Sequence, residues 1–243
     1  MGFALGVPAL IRRYWRYHVT ALVLVLAAAV LAWAVVSNVP ESYSLFVNDA
    51  LAGGRDPFTS RETLAKTLHP EGTSLEEGSA FAAFLFIHNT QVAFLALSLG
   101  MLLALPTIYL LVSTGLMLGA FTAVFTGAGL GTEFFAWLLP HAVPELGSVI
   151  LCGGAGLAVG HRMLNPGALP RMTMLRRTAA DAAVTAMGCV PLLFLAGMIE
   201  GIFRQSEATT TMRYTLFGFL AAAFGAWIFF ARRTPVVVRE TTE

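Results

Sequence analysis

Residues 78–132 read GSAFAAFLFIHNTQVAFLALSLGMLLALPTIYLLVSTGLMLGAFTAVFTGAGLGT, 55 positions without one Asp, Glu, Lys or Arg. A helix crossing a hydrocarbon core about 30 Å thick needs about 20 apolar residues. The stretch is therefore too long for one span and fits two joined by a tight turn. The turn falls either at Gly100–Pro106 or at Ser113–Gly115, both of which carry helix-weakening residues. A soluble domain has no use for so long an uncharged run.

The rest of the chain follows the same solvent. Of 243 residues, 57% are hydrophobic and 12% charged, with a mean hydropathy of +0.74; a soluble domain carries about 25% charged residues. Upstream, Val19–Val36 is an 18-residue apolar run preceded by Arg12, Arg13 and Arg16. That layout suits a signal peptide or a signal anchor, and the spans that follow favour retention as a first transmembrane helix. Downstream, apolar runs cover Phe134–Gly160, Ala182–Ile199 and Tyr214–Ala231. The expected fold is all-α, a polytopic transmembrane bundle of about six spans.

Charge sets the expected orientation. With residues 1–18 in the cytoplasm, the loop at 161–177, with Arg162, Arg171, Arg176 and Arg177, and the tail at 232–243, with Arg232 and Arg233, also fall there. Ten of the fifteen basic residues are then cytoplasmic, as the positive-inside bias of membrane proteins requires. Both termini are expected on that side of the cell membrane. The 161–177 loop is held there by its arginines, which also suit anionic lipid headgroups. The polar loop at 37–78 is acidic and expected outside the cytoplasm, with a short helix in SRETLAKTL. The core at 79–231 holds about five of the spans. A net charge of +1 gives no reason to expect a nucleic-acid partner. Cys152 and Cys189 lie in apolar runs and read as small packing residues.

Within Phe134–Gly160, Pro140 and Pro144 each remove a backbone donor and crowd the preceding turn. A broken or re-entrant segment is expected around Pro140–Glu145. Glycines four apart share a helix face and let a second backbone approach closely; Gly115 with Gly119, Gly156 with Gly160, and Gly197 with Gly201 have this spacing. Such faces serve packing within one bundle or between two copies.

Ionisable groups in the apolar runs are costly, about 2.5–3.5 kcal/mol for a charge at the bilayer centre. His88, His141, Glu145 and Glu200 are the four, with Asn89 beside His88. His141 and Glu145 are one helical turn apart, so the imidazole can donate to the carboxylate. A hydrolytic zinc needs three protein ligands, and only these two stand together, so no metal and no other cofactor is expected. There is no His-Glu-x-x-His and no Gly-x-Ser-x-Gly. The polar set reads as a structural cluster first and as a proton or ion path second.

The blocks HNTQVAFLALSLGMLLALPTIYLLVSTGLMLGAF, LPHAVPELGSVILCGGAGLAVG, NPGALPR and PLLFLAGMIEG resemble, in order and spacing, the stage II sporulation protein M family. Pro140, His141 and Glu145 match its most specific signature, Gly153, Gly154 and Gly156 its glycine-rich helix, and Glu200 its closing Ile-Glu-Gly. Ala142, Thr114 and the IFRQSE that follows Gly201 depart from the family pattern. The family's named member is ascribed the role of holding cell-wall-degrading enzymes at the septal membrane during engulfment. For this chain the resemblance implies a non-enzymatic membrane protein of that kind, without implying a part in sporulation. The family extends beyond spore formers. The expected function is therefore a scaffold in the lipid bilayer that positions extracytoplasmic, wall-remodelling partners, with the 37–78 loop as its contact surface. The alternative is a transporter or channel using the His/Glu cluster, and an intramembrane hydrolase ranks last.

Overall fold

The computed structural model describes residues 3–68, 75–168, 170–205 and 208–231. The expected tail at 232–243 and residues 69–74 of the expected 37–78 loop lie outside the described residues. In chain order the helices are α1 (Phe3–Arg13), α2 (Trp15–Asn38), α3 (Asp49–Ala52), α4 (Arg61–Leu68), α5 (Leu75–Ser98), α6 (Leu105–Gly127), α7 (Gly131–Leu164), α8 (Arg171–Gln205) and α9 (Thr210–Phe230). Short 3₁₀ turns occupy Pro40–Leu45 and Leu99–Met101, and there are no strands among the described residues. Five helices are long and apolar enough to cross a membrane: α2, α6, α7, the Arg171–Glu200 part of α8, and α9. With α5, which equals α2 at 24 residues, the chain is an all-α polytopic bundle of about six spans.

The centre of the bundle is α7, which packs against α2, α5, α6, α8 and α9. From Ser148 to Gly160 every residue but Ile150 is buried. Glycine makes this possible. A Cβ on Gly153 would meet Leu111 of α6, one on Gly154 would meet His18 of α2, and one on Gly156 would meet the backbone of Ala96 and Leu97 of α5. Gly160 sits against Ala104 in the turn before α6. On α6, Gly115 and Gly119 lie on the backbone of α2 at Val25 and Ala29. These paired glycines serve contacts inside the chain. Gly197 is buried on α8, whereas the surroundings of Gly201 lie outside the described residues.

Two open points of the sequence are settled by packing. The turn between α5 and α6 is the earlier one, at Leu99–Ala104. There Gly100 abuts the backbone of Gly156, and Leu103 and Ala104 adopt φ of 59° and 63°. The expected break at Pro140–Glu145 is not present: α7 runs uninterrupted through both prolines for 34 residues. The prolines leave the carbonyls of Ala136 and Pro140 without their usual helical donors, a loss of two bonds on one face. Ending one helix and starting another would free up to four groups at each new end. In apolar surroundings the unbroken helix costs less. At about 1.5 Å per residue α7 is about 51 Å long, well beyond the hydrocarbon thickness.

A helix that folds back on the bundle lies elsewhere. Within residues 1–18, α1 turns back at Tyr14 and runs alongside α8. Arg13 Nη1 meets Asp181 Oδ2 at 3.1 Å, and seven residues further along α8 a Cβ on Gly188 would come within 2.7 Å of Val7. Val7, Leu10 and Ile11 are buried. Arg12 donates to the carbonyls of Ile228 and Ala231 at the end of α9, so this arginine-rich end of the bundle is tied together by α1.

At the opposite end, residues 39–68 fold into a cap. Tyr43, Val47, Ala52, Leu64 and Leu68 form one apolar core with Ala120, Val124, Phe125, Leu130 and Phe134 of the bundle. Tyr43 donates its hydroxyl to the Arg55 carbonyl at 2.5 Å, and the Arg55 guanidinium lies 4.9 Å from the centre of the Phe121 ring. The short helix expected in SRETLAKTL is α4, begun by Ser60, whose Oγ accepts from the Thr63 N–H at 3.2 Å.

Candidate functional site

His141 and Glu145 stand one turn apart on α7, and helical geometry puts them on one face. That face looks across to α8, where Glu200 ends the apolar stretch. One ring nitrogen of His141 and one carboxylate oxygen each from Glu145 and Glu200 lie within 4.8 Å of one another. His141 and Glu200 are buried, while Glu145 is partly open to a cavity of about 590 Å³ that all three line. The cavity is roofed by the cap, through Arg55 and Thr67, and walled on the α6 side by Thr114 and Phe121. Its lining reaches no deeper on α7 than Leu146, where the close-packed glycine region begins.

The wall behind the cluster is aromatic. Phe125 stacks on Phe134 with ring centroids 4.6 Å apart, and Trp137 meets the His141 ring edge-on at 5.1 Å. These contacts fix the imidazole plane without using its nitrogens. No hydrogen bond joins His141 to Glu145 among the described residues, in contrast to the donation expected from their spacing. Positive charge enters from α9, where Arg213 is 3% exposed, is near enough to His141 to act on it electrostatically, and donates to the Ala208 carbonyl at 3.2 Å.

Of the five polar residues singled out in the sequence, the structure unites three. Asn89 is buried on α5, and His88 beside it is exposed; neither lines the cavity. Four residues escape a sequence reading. Arg55, Thr67 and Thr114 reach the cavity from segments remote in sequence, and Arg213 sits at the polar start of α9, where an arginine is unremarkable. His18, buried against Gly154, was equally hidden at the edge of an apolar run.

The chemistry of the site follows from two carboxylates and an imidazole facing one another, His141 and Glu200 buried and Glu145 partly open to the cavity. Two negative charges so placed repel and are poorly solvated, so the cluster requires positive charge, as protons, as arginine or as a cation. One nitrogen and two oxygen donors, drawn from two rigid helices, are a ligand set that a divalent ion accepts.

No curated protein and no solved structure matches the chain. The family model described as stage II sporulation protein M matches residues 21–203, a range that holds most of α2, the glycine-packed centre and the whole His141–Glu145–Glu200 cluster. The chain belongs to the stage II sporulation protein M family.

Proposed function

We propose that this protein is a non-enzymatic scaffold of the cell membrane, holding partner proteins at its capped face. The positive-inside bias assigns the arginine-rich end, with both termini, to the cytoplasm and the cap to the extracytoplasmic side. Wall-remodelling enzymes work on that side. The observation that carries the reading is the cap itself. It is a folded platform anchored through Tyr43, Arg55 and Phe121, and it turns Leu45, Leu51 and Phe58 outward at 79%, 54% and 71% exposure. Phe58 borders a cleft of about 450 Å³ that also holds Glu41, Asp49 and Asp56. Exposed apolar side chains rimmed by acidic ones are the surface a partner with complementary chemistry binds.

The test is photo-crosslinking from position 58 in native membranes. Wild type is expected to yield a defined extracytoplasmic partner, and a Leu45→Ser, Leu51→Ser, Phe58→Ser variant that still reaches the membrane intact is expected to lose it. Failure to capture any partner from position 58, or equal capture by the triple variant, would remove the basis for the scaffold. A second reading, solute passage, is favoured by the convergence of His141, Glu145 and Glu200 on a roofed cavity. It is tested by proton and ion flux in liposomes.

A further inference from the structure

We infer that His141, Glu145 and Glu200 form a binding site for a divalent transition-metal ion of the zinc class, set beneath the cap and open on its cavity side to one exogenous ligand. This goes beyond the scaffold reading and does not depend on it. The donors come from two helices whose relative register is fixed by close packing, so the set is built rather than assembled by mobile loops. Three donor atoms lie within 4.8 Å of one another. A zinc ion about 2.0–2.2 Å from each N or O donor holds such atoms roughly 3–3.5 Å apart. The difference is roughly 1–2 Å, small against the reach of a glutamate side chain turning about its staggered χ angles.

Three features suit the set to a cation. His141 and Glu145, though one turn apart, do not bond to each other, and the ring is positioned instead by Trp137. Two carboxylates face each other across the gap. The imidazole adds a nitrogen donor, which suits zinc, manganese or cobalt better than magnesium or calcium, both of which select oxygen. Arg213 and Arg55 face the same region from α9 and the cap. They oppose a bare cation but favour a water, hydroxide or anionic group in the open coordination position. The cavity of about 590 Å³ beside the cluster accommodates that ligand.

The test uses the full chain, purified in detergent, stripped with chelator and returned to Zn²⁺, Mn²⁺, Mg²⁺ or Ca²⁺ alone. Bound metal is counted by elemental analysis after gel filtration, and Co²⁺ substitution reports the donor set by its visible spectrum. Wild type is expected to retain about one Zn²⁺ per chain with a raised melting temperature, and to prefer Zn²⁺ and Mn²⁺ over Mg²⁺ and Ca²⁺. Glu145→Gln and Glu200→Gln, which keep side-chain volume, are expected to lose at least about tenfold in affinity. Glu133→Gln, outside the cluster, and the Cys152→Ser, Cys189→Ser pair, which removes the only thiols, are expected to bind as wild type does. No stoichiometric Zn²⁺ in wild type would overturn the inference. So would equal binding by all variants, or loss of binding with the thiols alone. None of these outcomes bears on capture of a partner at the cap, so the two proposals fail separately.

Discussion

Tyr43 carries much of the cap on one oxygen. Its ring packs edge-on to Phe121, while its hydroxyl donates to the carbonyl of Arg55, whose guanidinium covers the same Phe121 ring. Removing the hydroxyl leaves a partly buried carbonyl without its donor, so Tyr43→Phe should cost about 1–2 kcal/mol and speed amide exchange across residues 47–58. Burial raises Tyr43 to about 12, against the pull of the Arg55 charge; burial also raises Tyr14 to about 12, helped by its bond to Asp181. A folded value above the ordinary 10 means that the stabilisation is complete below pH 10 and is lost as pH climbs through 12. In a spectrophotometric titration Tyr14 and Tyr43 should ionise late, and Tyr43→Phe should remove one late component. Absence of any late component would show that neither hydroxyl is held as described. At this scale the sequence discloses local pairs and conceals distant ones. His141 and Glu145 could be paired because helical spacing is local. Glu200 joins them only through the register of α8 on α7, which no spacing along the chain encodes.

Helix faces are a matter of element scale, and glycine decides them. On α6, a Cβ at Gly119 would drive into the backbone of Ala29 on α2, whereas one at Gly127 would meet nothing within 4 Å. Backbone cannot rotate aside as a side chain can, so Gly119→Ala must push α2 and α6 apart. We expect it to cost at least about 2 kcal/mol and to lower the melting temperature in detergent, while Gly127→Ala should be neutral or gain up to about 1 kcal/mol from helix propensity. Equal melting temperatures would refute the packed α2–α6 face. The spacing of Gly115 and Gly119 was legible in advance, but its partner was not, because the same face serves a second copy as well as a neighbouring helix. The prolines of α7 misled for a related reason. Pro140 and Pro144 argue locally for a break, and the competing cost, the larger set of backbone groups that a break would strand in an apolar interior, is set by surroundings the sequence does not list.

On the scale of the whole molecule, the two ends differ in chemistry. One end gathers Arg12, Arg13, Arg162, Arg171, Arg176 and Arg177, with α1 tying α8 to the end of α9 through Asp181 and the carbonyls of Ile228 and Ala231. The other carries the cap, whose exposed ionisable residues are of both signs, Glu41, Asp49 and Glu62 with Arg61 and Lys66. The spans and the arginine count were readable from the sequence. The fold-back of α1 was not, since FALGVPALIRR (residues 3–13) is too short to span and shows no partner until α8 is in place. The asymmetry permits a labelling test with little background, because Cys152 and Cys189 are both fully buried. A membrane-impermeant maleimide should leave the wild-type chain unlabelled in intact cells. A cysteine at Leu45 on the cap, 79% exposed, should react in intact cells, and one at Leu164, 63% exposed at the arginine-rich end, only after permeabilisation. The reverse pattern would place the cap in the cytoplasm, and a platform there could not hold wall enzymes. Reaction at both sites in intact cells would mean that the ends do not lie on opposite sides of a membrane, and the span count itself would have to change.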